Sequence, residues 1–290
     1  MSAASTSDVL QYTMVQGVKC YSPNQAESYT DYPDDGFDVT DKMEEDSFWV
    51  RSRNRLLTSI IFRHAGEFKA PRFLEVGCGT GEFIRELVAD RRLAITGSEI
   101  YLKGLLYAKK KLPSVDFIQY DAAHGLLPDT FDMIAAFDVI EHIDDDVAAI
   151  TNISRMLAPG GYFIVTVPQH MFLWSRLDEI VMHKRRYSRR ELVGKLRAQG
   201  FEITTVTSFL FALFPLMMVA RLRDRPTGDA VPADGAAVDS DLESRVSFPT
   251  ALNWIFDKIM RVDEALIRWG VSLPVGGSLL VVARKPDAAA

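Results

Sequence analysis

Residues 72 to 90 constrain the fold more than any other stretch of the chain. Arg72 to Val76 has strand character, and Glu82 to Asp90 sets Phe83, Ile84 and Leu87 on one face at helical spacing. Between them runs Gly77-Cys78-Gly79-Thr80-Gly81. A glycine-rich turn from strand to helix is a place where backbone approaches a ligand. Glycine tolerates positive φ and removes the Cβ atoms that would block that approach. The following helix adds free N–H groups and the positive end of its dipole.

The spacing narrows the ligand. A dinucleotide fingerprint is G-x-G-x-x-G, with the pyrophosphate on the helix N-terminus. Here the order is G-x-G-x-G, preceded two positions earlier by Glu75. A carboxylate there repels a pyrophosphate and suits a ligand carrying an ammonium group. That counts against a nicotinamide-dependent oxidoreductase. A second acid, Glu99, ends the strand-like run Ala94 to Glu99, with Ile100 beside it. In nucleoside-binding α/β folds a carboxylate at this tip accepts hydrogen bonds from ribose hydroxyls.

A basic helix over Tyr101 to Leu112 and a third strand over Val115 to Tyr120 follow, ending at Asp121-Ala122. Met133 to Phe137 reads as a fourth strand, apolar on both faces like the centre of a parallel sheet, opening into Asp138-Val139-Ile140-Glu141-His142. Leu157 to Gly161 is a turn and Tyr162 to Val167 a fifth strand.

The series E-V-G-C-G-T-G, F-D-x-I, D-V-I-E-H-I and L-A-P-G-G-Y-F-I-V-T-V-P, in this order, resembles the class I S-adenosylmethionine (SAM) methyltransferases over residues 72 to 205. The region after the fourth strand resembles the ubiquinone-type O-methyltransferases, near the methyltransferase type 11 group. The resemblance implies a doubly wound, mostly parallel, seven-stranded Rossmann-like α/β sheet with an antiparallel last strand over Ser278 to Arg284. It implies SAM as cofactor, held by Glu75, Gly77, Cys78, Gly79, Thr80 and Gly81, with Glu99 and Ile100 at the ribose. Asp121 and Ala122 border the adenine, and Asp138 lies near the methionine portion.

Bulk properties agree with a single enzyme domain. With 290 residues at 48% hydrophobic content, the chain can bury one good-sized core. A net charge of −6 argues against a nucleic-acid partner. The two cysteines, Cys20 and Cys78, suggest neither a zinc cluster nor a disulfide framework. A cytoplasmic location is expected, since the N-terminus shows no signal peptide.

Residues 1–46 read as a polar, acidic, flexible arm, and 47–290 as one domain. An amphipathic helix starts near Phe48, from which Arg53 can reach the carboxylate of SAM. Residues 209–275 depart from the minimal fold and are expected as a helical cap. Within them Phe209 to Ala220 is nearly all apolar, too short to span a bilayer, and followed by Arg221, Arg223 and Arg225. Residues 226–245 read as a loose linker. Leu252 to Trp269 spaces Ile255, Ile259, Val262 and Leu266 for one helical face. The cap can be a packed lid, or a peripheral membrane contact through 209–225 for a lipophilic acceptor.

For the acceptor, His142 and His183 are the candidate bases, because imidazole accepts a proton near neutral pH. His170, Trp174, Arg186 and Tyr187 are the candidate acceptor contacts, the basic cluster recognising a phosphate or carboxylate. Part of that cluster can instead orient the next helix, which Ser188 and Glu191 cap and Gly200 ends. His170 and His183 lack further ligands at a recognisable spacing, so no metal is expected. The reading is methyl transfer from SAM to a small-molecule or lipid-like acceptor, oxygen first, with nitrogen, carbon or non-catalytic SAM binding as alternatives.

Overall fold

Strand β3 (Arg72–Val76) and strand β6 (Phe131–Phe137) lie side by side at the centre of one sheet, almost wholly buried. The computed structural model describes residues 8–26, 37, 47–226 and 248–288. Their alternating side chains divide the core between the two faces of the sheet, as the period-2 geometry of a strand requires. Leu74, Val76, Ile134 and Ala136 share one cluster with Ile150 and Leu192. Phe73, Met133 and Ala135 share another with Leu57 and Ile61. The helices behind these contacts are α1 (Phe48–Ala65) on one face, and α4 (Asp146–Met156) and α6 (Arg189–Ala198) on the other.

The remaining elements follow the alternation of a doubly wound sheet. Helix α2 (Glu82–Leu87) leads to β4 (Ala94–Glu99), and α3 (Leu102–Lys111) to β5 (Asp116–Gln119). Beyond α4 come β7 (Leu157–Pro168), the short helix α5 (Arg176–Ile180), α6 and β8 (Glu202–Phe209). Ser188 caps α6 by accepting from the Glu191 N–H at 3.2 Å, and Gly200 past its end has φ +83°, as its sequence predicts. The final strand β9 (Ser278–Arg284) inserts between β7 and β8, antiparallel to both.

The sheet has nine strands rather than the expected seven, in the order β1-β2-β5-β4-β3-β6-β7-β9-β8. The two extra ones come from the segment expected as a flexible arm. β1 (Thr13–Val15) and β2 (Val18–Cys20) form a hairpin around Gln16 and Gly17, both at positive φ, the backbone that a tight two-residue hairpin turn needs. β2 then pairs with β5 in parallel, Lys19 opposite Ile118 and Cys20 opposite Gln119. Val18 and Cys20 are fully buried beside Ile84, Leu105 and Phe117. Residues 13–20 are therefore part of the sheet. Of the expected arm, residues 1–7 and 27–46 apart from Phe37, and nearly all of the expected linker over 226–245, lie outside the described residues.

The region before β9 carries two helices, α7 (Phe214–Arg223) and α8 (Thr250–Arg268). α8 packs on α1 through only part of the face its apolar spacing predicts: Ile259 and Leu266 pack against core clusters beside the buried Met260 and Ile267. Ile255 and Val262 are exposed, whereas Asp257, Asp263 and Glu264 are buried. Arg55 on α1 holds two acids of α8 inward as well: it pairs with Glu264 at 2.5 Å and with Asp257 at 2.8 Å. Asp263 accepts the backbone N–H groups of Phe211 and Ala212 at 2.6 and 3.1 Å. Trp254, Ile255 and Val262 of α8 face outward, as do Leu216, Val219 and Leu222 of α7. No described helix is long and apolar enough to cross a membrane.

Candidate functional site

The chain leaves β3 towards β4 on one side, and β6 takes the other side of β3. Open α/β sheets bind ligands at such a reversal, beyond the C-terminal strand ends. There the structure has a cavity of about 280 Å³, lined among others by Glu75, Gly77, Cys78, Gly79, Glu99, Ile100, Asp121, Ala122 and Asp138. These are cofactor-binding positions expected from the sequence. Arg53 closes the cavity from α1, and Phe37, Tyr101, Val139 and Ile143 add apolar wall that the sequence did not single out.

The glycine turn is shaped for backbone approach. Gly77 has φ +71°, and a Cβ there would lie 2.4 Å from Cγ2 of Val139. At Gly79, φ +52°, a Cβ would meet no atom within 4 Å, so the bare backbone there borders open space. Thr80 and Gly81 belong to the same turn but not to the cavity wall. Thr80 is buried and accepts from Nζ of Lys111 at 3.3 Å.

Five carboxylates line the cavity, Glu75 and Glu82 among them, and the three others stand at or just past strand ends. Glu99 is nearly buried; its Oε2 accepts the Gly79 N–H at 3.0 Å and its Oε1 the Ile100 N–H at 2.8 Å. Burial pushes its carboxyl pKa up, against these backbone hydrogen bonds, which favour the ionised form. Asp121 accepts the Ala123 N–H at 2.8 Å and meets Nδ1 of His124 at 2.7 Å. Asp138, at positive φ, accepts from Nη1 of Arg53 at 3.0 Å. Arg53, expected to meet a ligand carboxylate, thus has an acid of the chain itself for a partner. The Cys78 thiol is buried and its pKa pushed far up by that burial, which suits a filler of the turn rather than a reactive group.

A second cluster adjoins the cavity. His142 lines it, and the His142 and His183 rings stand 4.8 Å apart between centroids. Nδ1 of His183 lies 2.8 Å from Oδ1 of Asp178, and its Nε2 lies 3.8 Å from Oε1 of Glu141. Asp178 is fully buried and also accepts from Nε of Arg186 at 2.7 Å, and from Nη1 of Arg221 at 3.3 Å. Burial would raise its carboxyl, but His183 and the two guanidinium groups outweigh burial and hold it well below the usual range. Glu141 is fully buried too; burial first, and the charge of Asp138 second, push its carboxyl well up. The sequence reading passed over both acids. Asp178 lies five residues before His183, and Glu141 directly before His142; those adjacencies were the available signal.

The expected acceptor contacts fare differently. Arg186 is buried on Asp178 and on the carbonyl of Gln169, the latter at 3.1 Å. Tyr187 is fully buried and donates to Oδ2 of Asp146 at 2.6 Å. Arg185 pairs with Asp146 at 3.2 Å. The basic cluster is therefore spent on acids in and behind the loop after β6, and not presented to an incoming phosphate. His170, at φ +67°, sits against the rings of Phe172 and Phe214; neither it nor Trp174 is part of the cavity wall. Burial, then the charge of Arg186, lower the His170 pKa. Where no metal was expected, Glu141, His142 and His183 bring three possible ligand atoms within 4.8 Å of one another.

Residues 45–206, more than half of the chain, match a family model described as a methyltransferase domain. The chain is 29% identical over 164 residues to a probable S-adenosylmethionine-dependent methyltransferase of Mycolicibacterium smegmatis, covering 56% of this chain and 62% of that protein. It is 26% identical over 128 residues to a ubiquinone biosynthesis O-methyltransferase of Idiomarina loihiensis, covering 42% and 52%. The matches thus span less than two thirds of these relatives' own length. Among solved structures, a Haemonchus contortus phosphoethanolamine N-methyltransferase 2 in complex with S-adenosyl-L-methionine shares the fold. Its TM-score is 0.57 at 18% identity, over 89% of this chain and 59% of that one.

Proposed function

The chain belongs to the methyltransferase-domain family, and from that premise we propose that it uses SAM to methylate an oxygen of a small or lipid-like acceptor. The observation that carries the reading is the Glu99 carboxylate hydrogen-bonded to Gly79, at the one loop position where a missing side chain opens space beside the cavity. Bound SAM would supply a methyl group already activated by its sulfonium centre. The names of the relatives support SAM as donor and oxygen as the receiving atom.

The roles we assign follow the cavity wall. Glu99 and Ile100 take the ribose, and Asp121 with Ala122 borders the adenine. Glu75, Gly77, Cys78 and Gly79 receive the amino-acid end together with Asp138 and Arg53, while Thr80 and Gly81 set the shape of the turn. Arg53 would exchange Asp138 for the ligand's carboxylate and close α1 over the site. The chain's main task is to hold donor and acceptor in line, because proximity and orientation make up much of the barrier reduction in such transfers. His142 and His183 are the groups we assign to activating the acceptor hydroxyl, whose proton must leave as the oxygen is methylated. We further assign residues 209–275 the role of a cap on the 47–290 domain. Their outward-facing apolar side chains favour a lipophilic acceptor and a peripheral contact with a lipid surface.

Isothermal titration tests the donor: SAM and S-adenosylhomocysteine should bind and NAD should not. Incubating the protein and methyl-labelled SAM with extracts, followed by mass spectrometry, tests the transfer. Tight SAM binding with no labelled product would make the chain a non-catalytic binder and overturn the enzymatic reading.

A further inference from the structure

We propose that Arg221 is a positioning residue: seated on Asp178, it ties the docking of helix α7 to the orientation of His183. The consequence for turnover rests on the methyl-transfer reading, in which His183 helps to activate the acceptor; the mechanical coupling does not. Three observations carry it. First, α7 is held with little apolar burial. None of its ten residues is buried, and Leu216, Val219 and Leu222 are exposed. Polar ties hold both ends of the segment instead. Ahead of the helix, Asp263 of α8 accepts the N–H groups of Phe211 and Ala212. At its far end Arg221 meets Asp178, and the carbonyl of Asp224 accepts the Arg176 N–H at 2.8 Å. An element with few buried apolar contacts opens at low free energy. α7 is therefore displaced more easily than α8, which buries Met260 and Ile267.

Second, Arg221 completes the set of donors around one buried carboxylate. Oδ2 of Asp178 accepts the Ser175 N–H at 2.9 Å, the Ser175 hydroxyl at 3.3 Å and Nη1 of Arg221 at 3.3 Å. The same Nη1 donates to Oγ of Ser175 at 2.7 Å. With Oδ2 pinned, Oδ1 is presented to Nδ1 of His183 at 2.8 Å and to Nε of Arg186 at 2.7 Å. Among the described residues, Arg221 is the one side chain on Asp178 that comes from outside residues 175–186. The plane of the carboxylate thus depends on whether α7 is in place.

Third, His183 takes its orientation from that carboxylate. The Asp178 carboxyl is held well below its usual range, so it is ionised and can only accept. Nδ1 of His183 is then the nitrogen that carries the N–H, and Nε2 lies 3.8 Å from Glu141, beside the His142 ring that lines the cavity. A carboxylate behind an imidazole selects its tautomer and fixes its plane. When α7 lifts away, Oδ2 loses Arg221, the carboxylate is free to turn, and the ring loses its fixed partner. A misplacement of about 1 Å at a reacting group costs about 100-fold in rate. A lipophilic acceptor resting on α7 would thereby ready His183, and an empty site would stay slow.

The test uses full-length protein carrying isotope-labelled histidine, in which His183→Gln identifies the His183 signals among the five histidines. Long-range proton–nitrogen spectra above neutral pH read which ring nitrogen holds the proton. The expected result is a single Nδ1–H tautomer in the wild type, averaged nitrogen shifts in Arg221→Gln, and a return towards wild type in Arg221→Lys. The same averaging should follow from Asp263→Asn, which frees the other end of α7 and touches neither Asp178 nor His183. With methyl-labelled SAM and a cell extract, Arg221→Gln should slow labelled product by about 10- to 100-fold at unchanged SAM affinity. Adding Arg221→Gln to His183→Gln should slow it no further, because both changes act through one group. Wild-type His183 signals in a folded Arg221→Gln protein overturn the proposal, and if that variant misfolds, wild-type signals in Asp263→Asn do so. Losses that multiply in the double variant overturn it as well. His183 signals that follow Arg221 in a protein that labels no product would refute the methyl-transfer reading and leave the coupling standing; labelled product with unmoved His183 signals would do the reverse.

Discussion

Glu99 is the most direct handle on the proposed ligand. Its two carboxylate oxygens hold the N–H groups of Gly79 and Ile100 at 3.0 and 2.8 Å, at the lip of the cavity. Replacing it with alanine removes the acceptor for ribose hydroxyls and frees the glycine loop it pins. Hydrogen bonds to a charged group contribute about 1.5 to 3 kcal/mol net. At about 1.4 kcal/mol per tenfold, SAM affinity should fall roughly 10- to 150-fold. Glu99→Gln keeps the shape and one acceptor oxygen, so its loss should lie at the lower end. The pH dependence adds an independent signature. Burial raises the Glu99 carboxyl above its ordinary value of 4.5. Ribose hydroxyls donate to the ionised form, so a proton competes with the ligand. Affinity should therefore be flat well above the raised pKa and decline as pH falls through it, at a higher pH than an ordinary glutamate would give. Glu99→Gln should lose that decline. Titration calorimetry between pH 7.5 and 5, with circular dichroism to verify folding, reads both effects. A folded Glu99→Ala protein binding SAM within about twofold of wild type would refute the reasoning.

Gly79→Val should abolish SAM binding and lose about 1 to 3 kcal/mol to backbone strain at its positive φ, because its Cβ meets no protein atom, whereas Gly77→Val bears the same strain and also clashes with Val139, and should unfold the loop; equal thermal shifts in the two would contradict this. Alanine in place of His142 or His183 should leave SAM affinity intact and lower turnover about 100-fold or more; wild-type turnover in both would make the imidazoles structural. Arg55→Ala leaves Asp257 with Arg51 and Arg261, and Glu264 with Arg268, all at 3.6 to 4.0 Å, where fully buried charges losing their partner altogether would cost about 3 to 5 kcal/mol. Since the Arg55 side chain is 26% exposed, solvent screening reduces this to about 2 to 3 kcal/mol; an unchanged melting temperature would show that α8 is held by apolar contacts alone. Liposome co-sedimentation should be lost on changing Leu216, Val219 and Trp254 together to Ser, and if the wild type never sediments, the outward apolar face makes no lipid contact.

The glycine turn and the acids at Glu99, Asp121 and Asp138 were legible because each is a local event: a strand ending, a turn and a helix beginning within a few residues. Arg53 was legible because the helix preceding the first central strand had to reach the same crevice. The β1–β2 hairpin was not. Two three-residue strands are too short to show a period, and what orders them is burial of Val18 and Cys20 against a core built a hundred residues later. Helix α8 misled for a related reason. Half of its apolar stripe, Ile259 and Leu266, does pack inward, but Arg55, some two hundred residues earlier, draws two acids of α8 in as well while Ile255 and Val262 stay outside. The basic run at 183–187 read as an anion site because its partners, Asp146 and Asp178, were assigned no role. Charge runs declare their partners only once the chain has folded.

The placement of β9 orders events during synthesis. Residues 278–284 pair with seven positions of β7 on one side and with β8 on the other, so the strand that joins them leaves the ribosome about seventy residues after β8. Until then β7, which carries part of the central core, presents an unpaired edge, and β8 has no sheet to belong to. Unpaired apolar edges invite pairing with other chains. The matched region 45–206 is therefore not a folding unit by itself: a nascent chain stopped before Ser278 should stay dependent on chaperones, however complete its glycine loop.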